Sequence, residues 1–142
     1  MDYRCTEVSG REHAETIHRL NNLSPHLFPP LRLWHLSAGH WWLIFYRNEP
    51  KAFAGLCPMV PFVGVGYLKR CYVDPKYRGR GWQKILLEER ERKAKELGWT
   101  MLVSEAKADN EHSISNFIRS GYSETFPEQP WASDSRYFVK VL

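Results

Sequence analysis

Apolar and polar positions along the 142-residue chain follow two rhythms, and the switches between them divide it into elements. Residues 2–8 (DYRCTEV) read as a strand ended by Ser9-Gly10. Ala14, Ile17 and Leu20 recur at helical spacing over 11–21, with Ser9 or Gly10 as cap and Asn21-Asn22 as stop. The stretch 24–39 (SPHLFPPLRLWHLSAG) has no clean period. Pro29-Pro30 breaks it, and a short helix is predicted over 31–36. His40–Tyr46 (HWWLIFY) has almost no polar position, the pattern of a strand buried on both faces near the centre of a sheet. Residues 47–50 turn, and 51–59 return as its hairpin partner. A connection over 62–66 leads into a strand at 67–73, rich in β-branched and aromatic residues. Asp74-Pro75 stops that strand, because proline has no N–H to give a ladder. A long helix is predicted from about Gly81 to Gly98, where glycine is a C′ stop. Residues 100–106 form another strand. Asp109-Asn110 caps a helix over 111–120, with Ile114, Phe117 and Ile118 on one face. Strands at 122–126 and 136–141 flank the loop 127–135 (PEQPWASDS).

The predicted order is β, α, α, β, β, β, α, β, α, β, β. Three consecutive strands precede the long helix, so the sheet is mixed and the class is α/β (α+β), with helices on both faces. The length suits one domain over 1–142.

The stretch 67–98 carries the chemistry. Between its strand and its helix lies Arg78-Gly79-Arg80-Gly81. Two glycines permit a positive φ and let a ligand approach the backbone closely. The first N–H groups of a helix have no partner within it, and the dipole there favours negative charge. From Lys69 to Lys84 there are six basic residues and one acidic. Such a loop suits a phosphate. It contains no G-x-x-x-x-G-K-[ST] string, and Lys84 takes the place of the third glycine in a dinucleotide G-x-G-x-x-G. Further along the helix, Glu88–Arg92, Glu89–Lys93 and Glu91–Lys95 are acid-to-base pairs at i,i+4, read as a solvated face.

Composition narrows the reading. Formal net charge is +4, which suits a polyanionic small ligand. The basic stretch lacks the interleaved aromatics of a stacking platform, so nucleic acid is not the expected partner. Three cysteines without CxxC spacing argue for a reducing compartment and against a disulfide framework. The six histidines form no metal-ligand spacing. No leader-like start and no long apolar run is present, so a cytoplasmic protein without a membrane partner is expected.

The sequence resembles the GNAT (GCN5-related N-acetyltransferase) superfamily. That family carries [Q/R]-x-x-G-x-[G/A] between its fourth strand and third helix. Arg78 fits the first position and Gly81 the fourth, while Gln83 stands where Gly or Ala is usual. Cys71-Tyr72-Val73-Asp74-Pro75 resembles the family's strand-to-loop junction. A second motif falls on the next helix, where Asn110, Ile114 and Gly121 match. There Ser113 replaces alanine, Asn116 an apolar residue, Tyr122 a phenylalanine and Phe117 the usual tyrosine. The element order matches the GNAT fold across the chain.

The resemblance implies a GNAT fold in which the strands before and after the long helix run parallel and splay apart to hold acyl-CoA. It implies acetyl-CoA as co-substrate, no metal, and an amine on a small molecule or protein as acceptor, with a homodimer possible in this architecture. Arg78, Gly79, Arg80, Gly81, Trp82 and Gln83 would meet the pyrophosphate. The backbone of Cys71, Tyr72 and Val73 would meet the pantetheine arm, with Asn110 and Phe117 beside it. The Val73 N–H would stabilise the oxyanion. The family's usual acid is the tyrosine that Phe117 replaces, leaving Ser113 or a water for that role. The base stays open among Tyr67, Glu105, His40 and His112, with a water relay as the working expectation. Residues 25–40 and 127–135 are expected to line the acceptor side. The alternative is a GNAT-fold module that binds acyl-CoA without turnover.

Overall fold

The computed structural model describes residues 2–25 and 28–142. His26 and Leu27, within the segment expected to line the acceptor side, lie outside the described residues. The elements are β1 (Tyr3–Val8), α1 (Ala14–Asn21), α2 (Leu33–Ala38), β2 (His40–Tyr46), β3 (Glu49–Pro58), β4 (Val65–Val73), α3 (Trp82–Glu96), β5 (Met101–Lys107), α4 (Glu111–Arg119), β6 (Ser123–Thr125) and β7 (Ser135–Val141). A single 3-10 turn over Pro75–Tyr77 joins β4 to α3.

The element order is the predicted one, and the boundaries move for local reasons. The first helix begins at Ala14, because Ser9 accepts from Glu12 and His13 and holds residues 10–13 in a turn. The turn after β2 is only Arg47-Asn48, both at positive φ (49° and 66°), so β3 starts at Glu49. Positive φ at both turn positions matches the twist of the flanking strands. Arg32 is extended, so α2 starts at Leu33. β4 begins at Val65 and includes Gly66, where a Cβ would lie 2.5 Å from the Trp99 ring. The close packing of Trp99 explains why glycine sits inside a strand.

The seven strands form one sheet in the order β1-β2-β3-β4-β5-β7-β6. All neighbours are antiparallel except β4 and β5. β2 is thus second from an edge rather than central, yet Trp41 to Ile44 are fully buried because helices cover both faces. Alternation along the strands separates two cores. Trp41, Leu43, Phe53 and Tyr72 pack on Ile17 and Leu20 of α1 and Leu36 of α2. Trp42, Ile44, Ala54, Leu68, Leu102 and Phe138 pack on Leu86 and Ala94 of α3 and Ile114 of α4.

The parallel pair is incomplete. Val65, Gly66 and Tyr67 pair with Met101, Leu102 and Val103, and pairing stops there. β4 nevertheless runs to Val73 and β5 to Lys107. Beyond Tyr67 the two strands diverge and leave a wedge in the middle of the sheet.

The charged face of α3 differs from expectation. Arg90 is buried at 3% exposure. Among the described residues none of the three expected i,i+4 pairs forms. Arg92 pairs with Glu89 at 3.3 Å and Glu96 at 2.9 Å, and Lys93 reaches Glu7 of β1 at 3.4 Å. Glu91 instead accepts from Tyr122, just before β6, at 2.8 Å and from Lys140 of β7 at 3.0 Å, tying the helix to that end of the sheet. No helix among the described residues is long and apolar enough to cross a membrane.

Candidate active site

A cavity of about 1270 Å³ runs through the wedge from the α3–α4 face to the α1–α2 face. At its α3 end lies the glycine loop. Gly79 and Gly81 both have φ 81°, a left-handed conformation that disfavours other residues. Gly81 is the N-cap of α3, so the helix opens at Trp82. The first intrahelical bond runs from the Ile85 N–H to Gly81, and the preceding turn ends with Tyr77 donating to Asp74. Among the described residues, no backbone N–H from Arg78 to Lys84 is donated to the protein. Arg78, Gly79, Gly81, Trp82, Gln83 and Lys84 line the cavity. The loop therefore presents a run of unclaimed donors, with the α3 dipole behind them.

Side chains of the loop divide the work. Arg78 donates through Nε to the Val73 carbonyl at 3.1 Å, which anchors the loop to the end of β4. Arg80 turns away and stacks over Tyr77 (4.8 Å) and Tyr46 (5.5 Å), so only its backbone belongs to the donor run. The Trp82 side chain is a core residue, 2% exposed and stacked on Tyr77 at 5.4 Å. Its contribution to an anion site is likewise its N–H.

β4 is deformed where it passes the wedge. Ala54 pairs with Cys71 and Gly55 with Lys69, so Arg70 is an extra residue, a bulge at φ 67°. A non-glycine residue there is strained and is held by its surroundings. Arg90 of α3 is what holds it. Its Nη1 donates to Arg70 O (3.1 Å) and Gly55 O (3.3 Å), and its Nε to Leu86 O (3.1 Å). Cys71 follows the bulge, and burial pushes its thiol above the ordinary range despite the adjacent Arg90. It is a lining residue, not a thiolate. The Tyr72 side chain points to the opposite core, so it can offer the wedge only backbone. Asp74 donates its N–H to Lys51 of β3 at 2.8 Å. N–H directions alternate along a strand, so the Val73 N–H faces the other way, into the wedge.

At the closed end of the wedge, Tyr67 of β4 donates to Oε1 of Glu105 on β5. Trp131, from the loop before β7, donates to the same oxygen at 2.7 Å. Oε2 receives no hydrogen bond among the described residues. Burial first, and Glu105 second, push the Tyr67 phenol far above its ordinary range. Tyr67 is the donor of this pair and Glu105 the acceptor. Phe28, Pro29, Trp34 and His35, from the segment 25–40, and Trp131, Ala132 and Ser135, from the loop 127–135, line the cavity, together with Ser24.

α4 borders the α3 end. Asn110 is its N-cap, accepting from the Ser113 N–H at 3.3 Å, and both residues line the cavity. Phe117 stacks on Phe138 at 5.4 Å and also lines the cavity, so it is core and wall together. Gln83 and Asn116, two departures from the family pattern, prove to be one feature: the Asn116 amide donates to Gln83 Oε1 at 2.7 Å and joins α4 to α3. His112 lines the cavity, whereas His40 lies elsewhere, 3.5 Å from Glu7 and edge-on to Trp99. No group of three or more His, Cys, Asp or Glu among the described residues could hold a metal.

Sequence reasoning missed Arg90, Arg70 and Lys69 as individual residues of the site. Arg90 carried one signal: position 90 falls on the inward stripe of α3, with Leu86, Leu87 and Ala94.

The strand order, the splayed parallel pair and the glycine-opened helix together define an acetyltransferase fold class. The model of the acetyltransferase (GNAT) family matches residues 9–122, and the chain belongs to that family. It is similar to a GNAT family acetyltransferase from Elizabethkingia anophelis solved with acetyl-CoA bound (19% identity, TM-score 0.77, 99% of each chain). It is also similar to the PaiA N-acetyltransferase of Thermoplasma acidophilum in complex with coenzyme A (14% identity, TM-score 0.77, 100% of each chain). A third likeness is the ribosomal-protein-S18-alanine N-acetyltransferase of Escherichia coli (14% identity, TM-score 0.77, 98% of this chain and 93% of that one). At these identities the likeness is one of fold and says nothing of the acceptor. No curated protein sequence matches the chain.

Proposed function

We propose that this protein is an N-acetyltransferase that moves the acetyl group of acetyl-CoA to a primary amine by direct attack in a ternary complex. The observation that carries the reading is the run of unclaimed N–H groups from Arg78 to Lys84, opening onto a wedge between parallel strands. Those groups and the α3 dipole suit a pyrophosphate, with Arg78 fixing the loop. The free edge of Cys71–Val73 suits the amides of a pantetheine arm.

Bound acetyl-CoA supplies an electrophilic thioester carbonyl. The amine nitrogen bonds to the carbonyl carbon, the C–S bond breaks, and the amine proton is lost as the thiolate leaves. The Val73 N–H donates to the carbonyl oxygen as charge develops on it. A donor of that kind contributes about 3–4 kcal/mol in other acyl transfers. Holding both reactants in the wedge is worth ~7–11 kcal/mol in favourable intramolecular systems. Glu105, with Oε2 open to the cavity, takes the proton from the incoming ammonium, and Tyr67 and Trp131 fix its orientation through Oε1. Ser113 lies at the α4 wall as a donor to the leaving thiolate. A thiolate with a reference pKa of ~8.5 leaves with little help, so Phe117 in place of tyrosine is tolerable. The three free cysteines fit the cytoplasmic setting expected from the sequence.

Titration with acetyl-CoA tests the reading. The parent binds in the micromolar range, and the Arg78→Ala, Gly81→Asp double variant does not. Equal binding by both refutes the phosphate assignment. The missing hydroxyl at Phe117 keeps one other reading in view, a module that binds acyl-CoA without turnover. Free-thiol release against an amine panel separates the two, since binding without release favours the module.

A further inference from the structure

The bulge at Arg70 changes what the acceptor end of the cavity presents. Tyr67 and Lys69 alternate with Leu68, which belongs to the α3–α4 core, so both face α1 and α2. The extra residue keeps Arg70 on that same side, where it donates to Asn21 Oδ1 at 3.1 Å and Pro29 O at 3.0 Å. Glu105 alternates with Ser104 and Ala106 and faces the same way. Two cations, Lys69 and Arg70, thus line this compartment. Burial first, and then Lys69, Arg70 and, from the start of α2, Arg32, lower the His35 pKa to about 4. Glu105 is the carboxylate that faces Lys69 and Arg70.

These cations are not neutralised. Arg70 spends its bonds on an amide and a carbonyl. Lys69 is half-buried, sits 5.6 Å over the Tyr67 ring, and has no ion-pair partner among the described residues. Burial first, then Arg70, lowers its pKa. Glu105 is within electrostatic reach of both cations but bonds to neither. A desolvated ammonium beside a second cation is a standing demand for an anion. The same compartment holds an open carboxylate oxygen, which is a place for an amine. The walls between are apolar: Phe28, and Trp34 and Trp131 left 52% and 45% exposed.

We infer that the acceptor is a free amino acid whose amine lies at Glu105, whose carboxylate lies at Lys69, and whose side chain is apolar enough to lie against Trp34 and Trp131. Lys69 is then a specificity-determining residue, which nothing in the resemblance assigns. A polyamine or an uncharged amine leaves the Lys69–Arg70 pair uncompensated and is disfavoured. The inference rests on the acetyl-transfer reading above, and the reaction is that one: N–C forms, C–S breaks, and the amine proton leaves through Glu105.

The test uses purified full-length protein, acetyl-CoA and matched acceptor pairs: L-phenylalanine against phenethylamine, L-tryptophan against tryptamine and L-leucine against isoamylamine, with spermidine as a polycation. Free thiol is the turnover readout, and calorimetry reports acetyl-CoA binding separately. At least one amino acid should exceed its decarboxylated partner tenfold or more in kcat/KM. Lys69→Met should raise the KM for that amino acid at least tenfold with kcat within threefold, and collapse the preference to under threefold. Lys69→Arg should keep it. Circular dichroism and unchanged acetyl-CoA affinity establish that both variants are folded. If a decarboxylated amine or spermidine is acetylated but no amino acid is, or the preference survives Lys69→Met, the inference is overturned and the acetyl-transfer reading stands; if acetyl-CoA binds and no amine is acetylated, both give way to the module. If acetyl-CoA does not bind, both fall.

Discussion

Arg90 is the residue whose removal says most about how the site is built. Its guanidinium is 3% exposed and meets backbone carbonyls rather than a carboxylate. Two of those carbonyls, Gly55 O and Arg70 O, belong to strands whose register breaks at the bulge. Arg90→Met keeps most of the stem and deletes the donors. Hydrogen bonds from a charged donor contribute about 1.5–3 kcal/mol each, so the two sheet contacts amount to about 3–6 kcal/mol. Releasing a charge from a buried site returns part of that, since burial of an ion is itself costly. The expected net loss is about 2–4 kcal/mol, read from urea unfolding. The bulge should relax with it, and because Cys71–Val73 follow directly, acetyl-CoA affinity should drop at least tenfold. Arg90→Lys should recover less than half of the stability, because one ammonium cannot reach three carbonyls in the same geometry. A methionine variant within about 0.5 kcal/mol of the parent, the scatter of a neutral surface change, would refute the claim that Arg90 pins the bulge.

Three further outcomes are expected. Gly81→Ala and Gly98→Ala share a φ near 80° and an open site for the new Cβ, so each should cost about 1 kcal/mol of stability; only Gly81→Ala should weaken acetyl-CoA binding, by tenfold or more in calorimetry. Gln83→Ala and Asn116→Ala should show a coupling of about 0.5–1.5 kcal/mol in a double-mutant cycle on unfolding, as their 2.7 Å bond requires; additive effects would mean the bond contributes nothing. Burial, with Lys69, Arg70 and Arg32 nearby, lowers the His35 pKa from 6.5 to about 4. The unfolded chain therefore takes up a proton between those values that the folded chain refuses, and stability falls as pH drops through that window. His35→Gln should lose less stability than the parent between pH 7 and pH 5; equal losses would show that His35 is not desolvated.

The element order and the glycine loop were legible because their causes are local. Proline, paired glycines and helical spacing act within a few residues, and the expected loop-to-helix junction is one residue from the observed start at Trp82. The proposed acceptor end was legible only as two segments, since Tyr67 and Glu105 lie far apart in the chain and meet through a three-residue parallel pairing. The bulge left no mark, because the left-handed residue is an arginine and not a glycine. Arg90 was hidden by company: among Glu88 to Lys95 it reads as one more solvated charge. Gln83 and Asn116 each looked like a lapse from the family pattern, and only their contact shows that the two changes answer one another.

The divergence of β4 from β5 has a mechanical side. Only three residue pairs stitch a four-stranded block to a three-stranded one. Below those stitches each block shows the other a bare row of amides and carbonyls, like two halves of a zip left undone. A guest of extended shape that supplies matching amides would close it and act as a temporary strand. The co-substrate would then be a structural member of the molecule during each cycle, and its departure would loosen the joint between the blocks before the next one.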